Sequence, residues 1–197
     1  MKLVGLTGTS GSGKSYICRL LSAHGIPSID CDRVAREATA PNSPCTRELA
    51  KAFGAEFIDA QGALKRRALA AFAFASPERT ALLNRITHKY IIKACEEEIV
   101  KAEQAGHRVL ILDAPTLFES GLDRRCDRII AVLSERALRI ERILERDSIS
   151  LSDAEQRLDA QKTDEFFASH ADYVIYNNGQ PTLSEEICRL AHDLLDT

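Results

Sequence analysis

The 197-residue chain has no Cys-x-x-Cys pair, no apolar run of membrane-spanning length and no surplus of positive charge. Each absence removes a class of function. Its six cysteines, Cys18, Cys31, Cys45, Cys95, Cys126 and Cys188, are scattered; without paired spacing they form neither a zinc site nor a disulfide framework, and reduced, mostly buried thiols are expected. The apolar start Leu3–Leu6 is too short for a signal-peptide core, so a cytoplasmic protein without membrane association is expected. A net charge of −3 gives no electrostatic case for a nucleic-acid partner. The substrate is expected to be small. There is no internal repeat or low-complexity segment, and 45% hydrophobic with 28% charged residues excludes disorder and fibrous architectures. The length suits one domain with small appendages, and nothing in it distinguishes a monomer from a homo-oligomer.

What is present begins at the eighth residue. Gly8-Thr9-Ser10-Gly11-Ser12-Gly13-Lys14-Ser15 satisfies G-x-x-x-x-G-K-[ST] at every fixed position, directly after Leu3-Val4-Gly5-Leu6. The glycines allow the backbone to curl around anionic oxygens, and the N-terminus of the following helix adds partial positive charge. Lys14 is then the cation for the β and γ phosphates, Ser15 offers a hydroxyl to Mg²⁺, and the backbone N–H of Tyr16 reaches an α-phosphate. A plain Gly/Ser turn needs no lysine or hydroxyl at those offsets.

Short β-rich runs recur at Leu3–Thr7, Ile26–Ile29, Val109–Leu112, Arg128–Leu133 and Tyr173–Tyr176, separated by amphipathic helical stretches. That alternation predicts an α/β fold with a parallel sheet covered on both faces. The longest helical pattern runs from about Thr87 to Ala105, with Ile91, Cys95, Ile99 and Ala102 on one face and Gly106 as its stop. Between Ile29 and Val109 there is more chain than one crossover needs, so a helical insertion is expected, roughly over 60–105. A second helical block, from Glu135 to about Ala171, precedes the last strand.

Three further features carry chemistry. Asp30 and Asp32 follow the second strand, at the ligand-binding edge of such a sheet; either serves as a base that orients an attacking hydroxyl or as a cap on a helix over Val34–Thr39, and spacing does not separate the two. Asp113 ends the third central run, where a carboxylate holds Mg²⁺ through water or caps a turn before Pro115. Arg136, Arg139, Arg142 and Arg146 fall near one helix face among Glu135, Glu141, Glu145 and Asp147. They form a solvated, partly paired face or supply one or two clamps for a transferring phosphate.

Taken together, Gly8-x-x-Gly11-Ser12-Gly13-Lys14-Ser15, Ile29-Asp30-x-Asp32-x-x-Ala35-Arg36, Asp113-x-Pro115-x-Leu117-Phe118-Glu119, Arg142-x-x-x-Arg146-Asp147, Ala160-Gln161 and Asn177-Asn178-Gly179 resemble the dephospho-CoA kinase family over nearly the whole chain. The phosphate loop marks only a superfamily; the two acidic segments at these separations are specific. The resemblance implies a P-loop fold of five parallel strands with a helical acceptor-binding region and a helical lid, here roughly 139–165. It implies transfer of the ATP γ-phosphate to the ribose 3′-hydroxyl of dephospho-CoA, giving CoA and ADP, the last step of coenzyme A biosynthesis. Asp32 matches the family's catalytic aspartate, and Gly11, Ser12, Gly13, Lys14, Ser15 and Tyr16 match its ATP loop. Arg142 matches the lid arginine, and Asn177-Asn178-Gly179 lies near the adenine. Thr9, Ser10, Tyr16 and Thr116 depart from the usual pattern, as does Lys89 after His88.

Two rivals remain at this stage. Another small-molecule or nucleoside kinase shares these parts and differs in its acceptor. A regulatory GTPase is suggested only by Asp59-Ala60-Gln61-Gly62; no N-K-x-D reads guanine, and those four residues read as a polar turn.

Overall fold

Continuous apolar runs become a five-stranded, all-parallel sheet in the computed structural model, which describes residues 1–196. The strands are β1 (Lys2–Thr7), β2 (Ser28–Asp30), β3 (Val109–Asp113), β4 (Arg128–Leu133) and β5 (Tyr173–Tyr176), in spatial order β2-β3-β1-β4-β5. Ten α-helices accompany them: α1 (Lys14–Ala23), α2 (Cys31–Ala38), α3 (Pro44–Phe53), α4 (Arg66–Phe74), α5 (Pro77–Gln104), α6 (Leu117–Ser120), α7 (Arg136–Asp147), α8 (Leu151–Asp159), α9 (Asp164–His170) and α10 (Leu183–Asp196). With β1 central and the chain leaving it toward both sides, the loops after all five strands meet one carboxyl edge, where open α/β sheets bind ligands.

The chain divides into two compact units, residues 1–30 with 102 onward, and Cys31–Lys101. In the first, one sheet face is sealed by α1 and α10. Val4, Leu6, Ile17, Leu21, Ile111, Ile130 and Ile187 form its centre with no exposed area. Burying each such side chain contributes about 1.5–3 kcal/mol, which is why β1 tolerates no polar residue on that face. Register then aligns the edge: Asp30 pairs with Asp113 across β2 and β3, and Leu6 pairs with Asp113 across β1 and β3.

The second unit is helical. Cys45, Leu49, Leu69 and Ile86 are buried together, with Phe53, Phe57, Leu64, Leu82 and Tyr90 around them. Helix α3 starts on Pro44 behind Ser43, whose hydroxyl accepts the Thr46 N–H at 3.1 Å. Ile58 and Leu64 form an isolated antiparallel bridge closed by the Asp59–Gly62 turn, in which Asp59 Oδ1 accepts the N–H groups of Gln61 and Ala63. The D-x-x-G match is therefore a turn, as read from the sequence.

Several boundaries move for physical reasons. Strand β2 starts at Ser28 rather than Ile26 because Pro27 has no N–H for the ladder; its carbonyl still accepts from Ile111 at 2.9 Å. Helix α2 covers Cys31–Ala38 instead of Val34–Thr39, starting directly after the strand. Helix α5 begins at Pro77, ten residues ahead of Thr87. Its first half packs Leu82, Ile86 and Tyr90, which lie on a different face from Ile91, Cys95 and Ile99, so no single stripe marks its full length. All six cysteines are free, four of them buried. No helix among the described residues is long and apolar enough to cross a membrane.

Candidate active site

The loop between β1 and α1 carries the site's backbone. Gly13 has φ +89° and a Cβ there would lie 2.2 Å from Asn177 Nδ2; Gly11 has φ +77° and a Cβ would meet the Arg139 carbonyl at 2.6 Å. Only glycine combines that left-handed backbone with such close approach. Thr9, by contrast, does not adopt positive φ. The glycine common at that position is therefore not required here, and Thr9 instead packs its side chain inward at 2% exposure.

Lys14 opens α1 and folds back over the loop, its Nζ donating to the carbonyls of Gly8 at 2.9 Å and Thr9 at 3.2 Å. Ser15 is exposed at the helix start. The Tyr16 N–H donates to Gly13 O at 2.9 Å, and its ring lies 5.6 Å from the Arg19 guanidinium. Ser12 Oγ is buried without a hydrogen-bond partner.

Helix α7 meets the loop through two of its four arginines. Arg142 Nη1 donates to Gly11 O at 3.2 Å and Ser134 Oγ at 3.3 Å, while Nη2 donates to Asn177 O at 3.1 Å. Asn177 in turn donates to Ser12 O at 2.8 Å. Arg139 is buried; it donates to Thr9 Oγ1 at 2.6 Å and makes a bidentate pair with Asp164 at 3.0 Å. Arg136 pairs with Asp159 and Arg146 with Asp147. The row of arginines is thus split: two face the phosphate loop and two pair with acids at the surface. Gln161 Oε1 accepts the Ser10 N–H at 2.9 Å, tying the segment between α8 and α9 to the same loop. Helices α7 and α8 share a small core of Ile143, Ala154 and Leu158.

Asp113 ends β3 half-buried with its Oδ1 screened from solvent. The thiol of Cys18, one turn past Lys14, is pushed up to about 12 by burial first and then by the Asp113 charge, to which it also hydrogen-bonds. Cys18 therefore stays protonated and donates to that carboxylate. Asp32 lies exposed in the first turn of α2, in the second unit, so it is a helix-start acid and not the cap. Asp30 is the residue immediately before that helix.

No cluster of three or more His, Cys, Asp or Glu side chains capable of caging a metal occurs among the described residues. The available donors are hard oxygens, the Ser15 hydroxyl and the Asp113 carboxylate, which suits Mg²⁺: it takes one or two protein ligands and completes its shell with phosphates and water. The residues present fit that ion.

Sequence reading alone had passed over Ser134, Cys18 and Asp164. Ser134 was findable, since it follows a buried strand at the carboxyl edge; Asp164 carries no local signal.

A family model for dephospho-CoA kinase matches residues 2–182. The chain belongs to the dephospho-CoA kinase family. A dephospho-CoA kinase of Corynebacterium glutamicum is 43% identical over 179 residues, covering 91% of this chain and 92% of that protein. Among solved structures, TT1252 from Thermus thermophilus is 30% identical with a TM-score of 0.84, covering 98% of this chain and 97% of that one. Dephospho-CoA kinase from Campylobacter jejuni, at 23% identity, shares the fold with a TM-score of 0.71, covering 100% of this chain and 98% of that one. Family membership reaches past the phosphate loop, since the matched region also includes the Asp30–Arg36, Asp113–Glu119 and Arg142–Asp147 segments.

Proposed function

We propose that this chain performs its family's reaction, phosphorylating the ribose 3′-hydroxyl of dephospho-CoA with ATP, and that its residues divide the work as follows. The observation that carries the reading is a complete phosphate loop crossed by Arg142, in a chain matched to the family model over residues 2–182.

Lys14 and the amides at the start of α1 hold the β and γ phosphates. Lys14 and Arg142 both donate to loop carbonyls. On ATP binding both cations turn to phosphate oxygens, bringing positive charge to the transferring group. Asp32 orients the ribose hydroxyl and accepts its proton as the γ-phosphate is attacked in line. Arg142 then stabilises charge on the transferring group.

Ser15 and Asp113 are the residues that would hold Mg²⁺, which would supply charge neutralisation to the nucleotide phosphates. Cys18 supports this by keeping its proton and fixing the Asp113 carboxylate through a hydrogen bond. Helices α7 and α8, with the Gln161 segment behind them, act as the lid; closure excludes water and suppresses ATP hydrolysis. The setting that agrees with this chemistry is the cytoplasm.

A coupled assay with MgATP and dephospho-CoA tests the reading, with stoichiometric CoA and ADP expected. Turnover of a nucleoside lacking the pantetheine arm at equal kcat/KM would move the assignment to the nucleoside-kinase rival.

A further inference from the structure

Helix α1 buries Ile17, Cys18 and Leu21 in the core beneath it but leaves Tyr16, in its first turn, 40% exposed. A single exposed aromatic ring is ordinary and needs no ligand to explain it. The place and the company of this one are not ordinary. Cα–Cβ bonds tilt toward a helix N-terminus, so the Tyr16 ring leans back toward the phosphate loop, and Arg19, three residues on, leans back over the ring. Its guanidinium lies 5.6 Å from the ring centroid, within cation–π range. Among the described residues Arg19 has no carboxylate partner and the Tyr16 hydroxyl no hydrogen bond. What restrains the ring is the arginine. Tyr16 is also a position at which this chain departs from its family's usual pattern.

The geometry of a bound nucleotide says what the ring would meet. The backbone N–H of Tyr16 is the one placed to reach an α-phosphate, and the α-phosphate is joined to the ribose through a single bridging oxygen. The nucleoside thus begins next to the residue that carries the ring. One face of that ring lies under the Arg19 guanidinium, which leaves the other face for a ligand.

We propose that the Tyr16 side chain, backed by Arg19, stacks on the base of ATP. This rests on the phosphate-loop reading given above and adds a side-chain contact to the backbone one already assigned to Tyr16. Because Arg19 restrains the ring beforehand, little rotamer freedom is lost when the base arrives. Every base has a π-face, so the contact adds affinity without choosing among bases.

Calorimetry on the protein without acceptor compares MgATP, MgGTP and magnesium tripolyphosphate, which fills the phosphate loop and carries no base. Tyr16→Thr should weaken MgATP and MgGTP alike by about 5- to 30-fold, the lower part of what a base–aromatic stack contributes, because the ring stays partly solvated. Tripolyphosphate should keep its wild-type dissociation constant. Tyr16→Phe retains the ring and should restore the affinity for both nucleotides. The chain has four tyrosines and no tryptophan, so the ring signals of isotope-labelled tyrosine are few, and Tyr16→Phe identifies those of Tyr16. MgATP should shift them through the ring current of the base, and tripolyphosphate should not. An unmoved MgATP constant in Tyr16→Thr, an equal loss for tripolyphosphate, a loss confined to one nucleotide, or a Tyr16→Phe variant as weak as Tyr16→Thr overturns the inference. Tripolyphosphate binding by the variants shows that they are folded. Wild-type protein that binds neither MgATP nor tripolyphosphate refutes the phosphate-loop reading itself, a different result from wild-type binding that the variants match.

Discussion

Arg139 donates a 2.6 Å hydrogen bond to the hydroxyl of Thr9, joining α7 to the phosphate loop while the same guanidinium is held by Asp164. The arrangement explains a departure from the family pattern. Thr9 occupies a position where the backbone does not need glycine, and its side chain gives a buried arginine a third acceptor. Thr9→Gly should accordingly destabilise the protein by about 1 kcal/mol, the value of one lost hydrogen bond plus added chain freedom. Urea midpoints measure it; a gain in stability would mean the loop is strained at Thr9.

Asp164→Asn probes the same network from the other end. It leaves the Arg139 charge buried without its counter-ion. Breaking a fully buried pair costs about 3–5 kcal/mol. Because the Asp164 side chain is 37% exposed, solvent screens part of that, and about 1–3 kcal/mol is expected. Denaturant unfolding reads the value, and a loss under a few tenths would show that Arg139 is held by Thr9 and packing alone.

Asp147 gives a pH signature. Its carboxylate is held well below the usual aspartate range, first by the two hydrogen bonds from Arg146 and then by Arg157 of α8. A depressed folded value means that the contribution is fully present above the unfolded value of about 4 and is lost as pH falls below it. The thermal midpoint of wild type should therefore exceed that of Asp147→Asn at pH 7, and the gap should begin to narrow below about pH 4 and close only as the pH falls through the depressed folded value. A gap that does not narrow at all as the pH is lowered below about 4 would contradict the ionic origin.

How much of this was legible beforehand depended on the range of the interaction. The phosphate loop is a local pattern, and the bounds expected for β4 and β5 match the structure because each is a short β-rich run with polar residues beside it. The second strand was misplaced by two residues, since Ile26 is indeed buried but Pro27 cannot join the ladder. Helix α5 was seen only from its midpoint, where its apolar face changes. The arginine row could be seen as a face of α7, yet its division between loop and surface depends on Thr9, Asp159 and Asp164, which lie well outside that helix in sequence, as well as on Ser134 just ahead of it.

Lys14→Ala removes a cation that is already folded over the loop. Turnover should fall by on the order of 10²-fold or more, because the charge acts on the phosphoryl group as it transfers. Its hydrogen bonds to the loop carbonyls Gly8 O and Thr9 O go with it, so a thermal midpoint is measured beside turnover to separate folding from catalysis. Single-turnover kinetics at saturating MgATP separate the chemical step from binding. Activity within a fewfold of wild type would remove the loop from catalysis.

Asp32→Asn separates catalysis from helix support. The structure puts Asp32 in the first turn of α2 and exposed, so its contribution to the helix is the weak dipole term of about 0.3–1 kcal/mol, and asparagine forfeits no packing. If Asp32 takes the ribose proton, turnover should fall by roughly 10²- to 10⁴-fold, because the amide keeps the shape and lacks the base. The dissociation constant for ATP should stay at the wild-type value, as the phosphates are held by the loop and Lys14. Turnover and ATP binding on this one variant, with a thermal midpoint to show that α2 is intact, distinguish the outcomes. Near-normal turnover would shift the base to Asp30 or Asp113, which face each other in register at the ends of β2 and β3. The Asp30→Asn variant would then decide between those two, since Asp113 is engaged by Cys18 and by the metal role proposed for it.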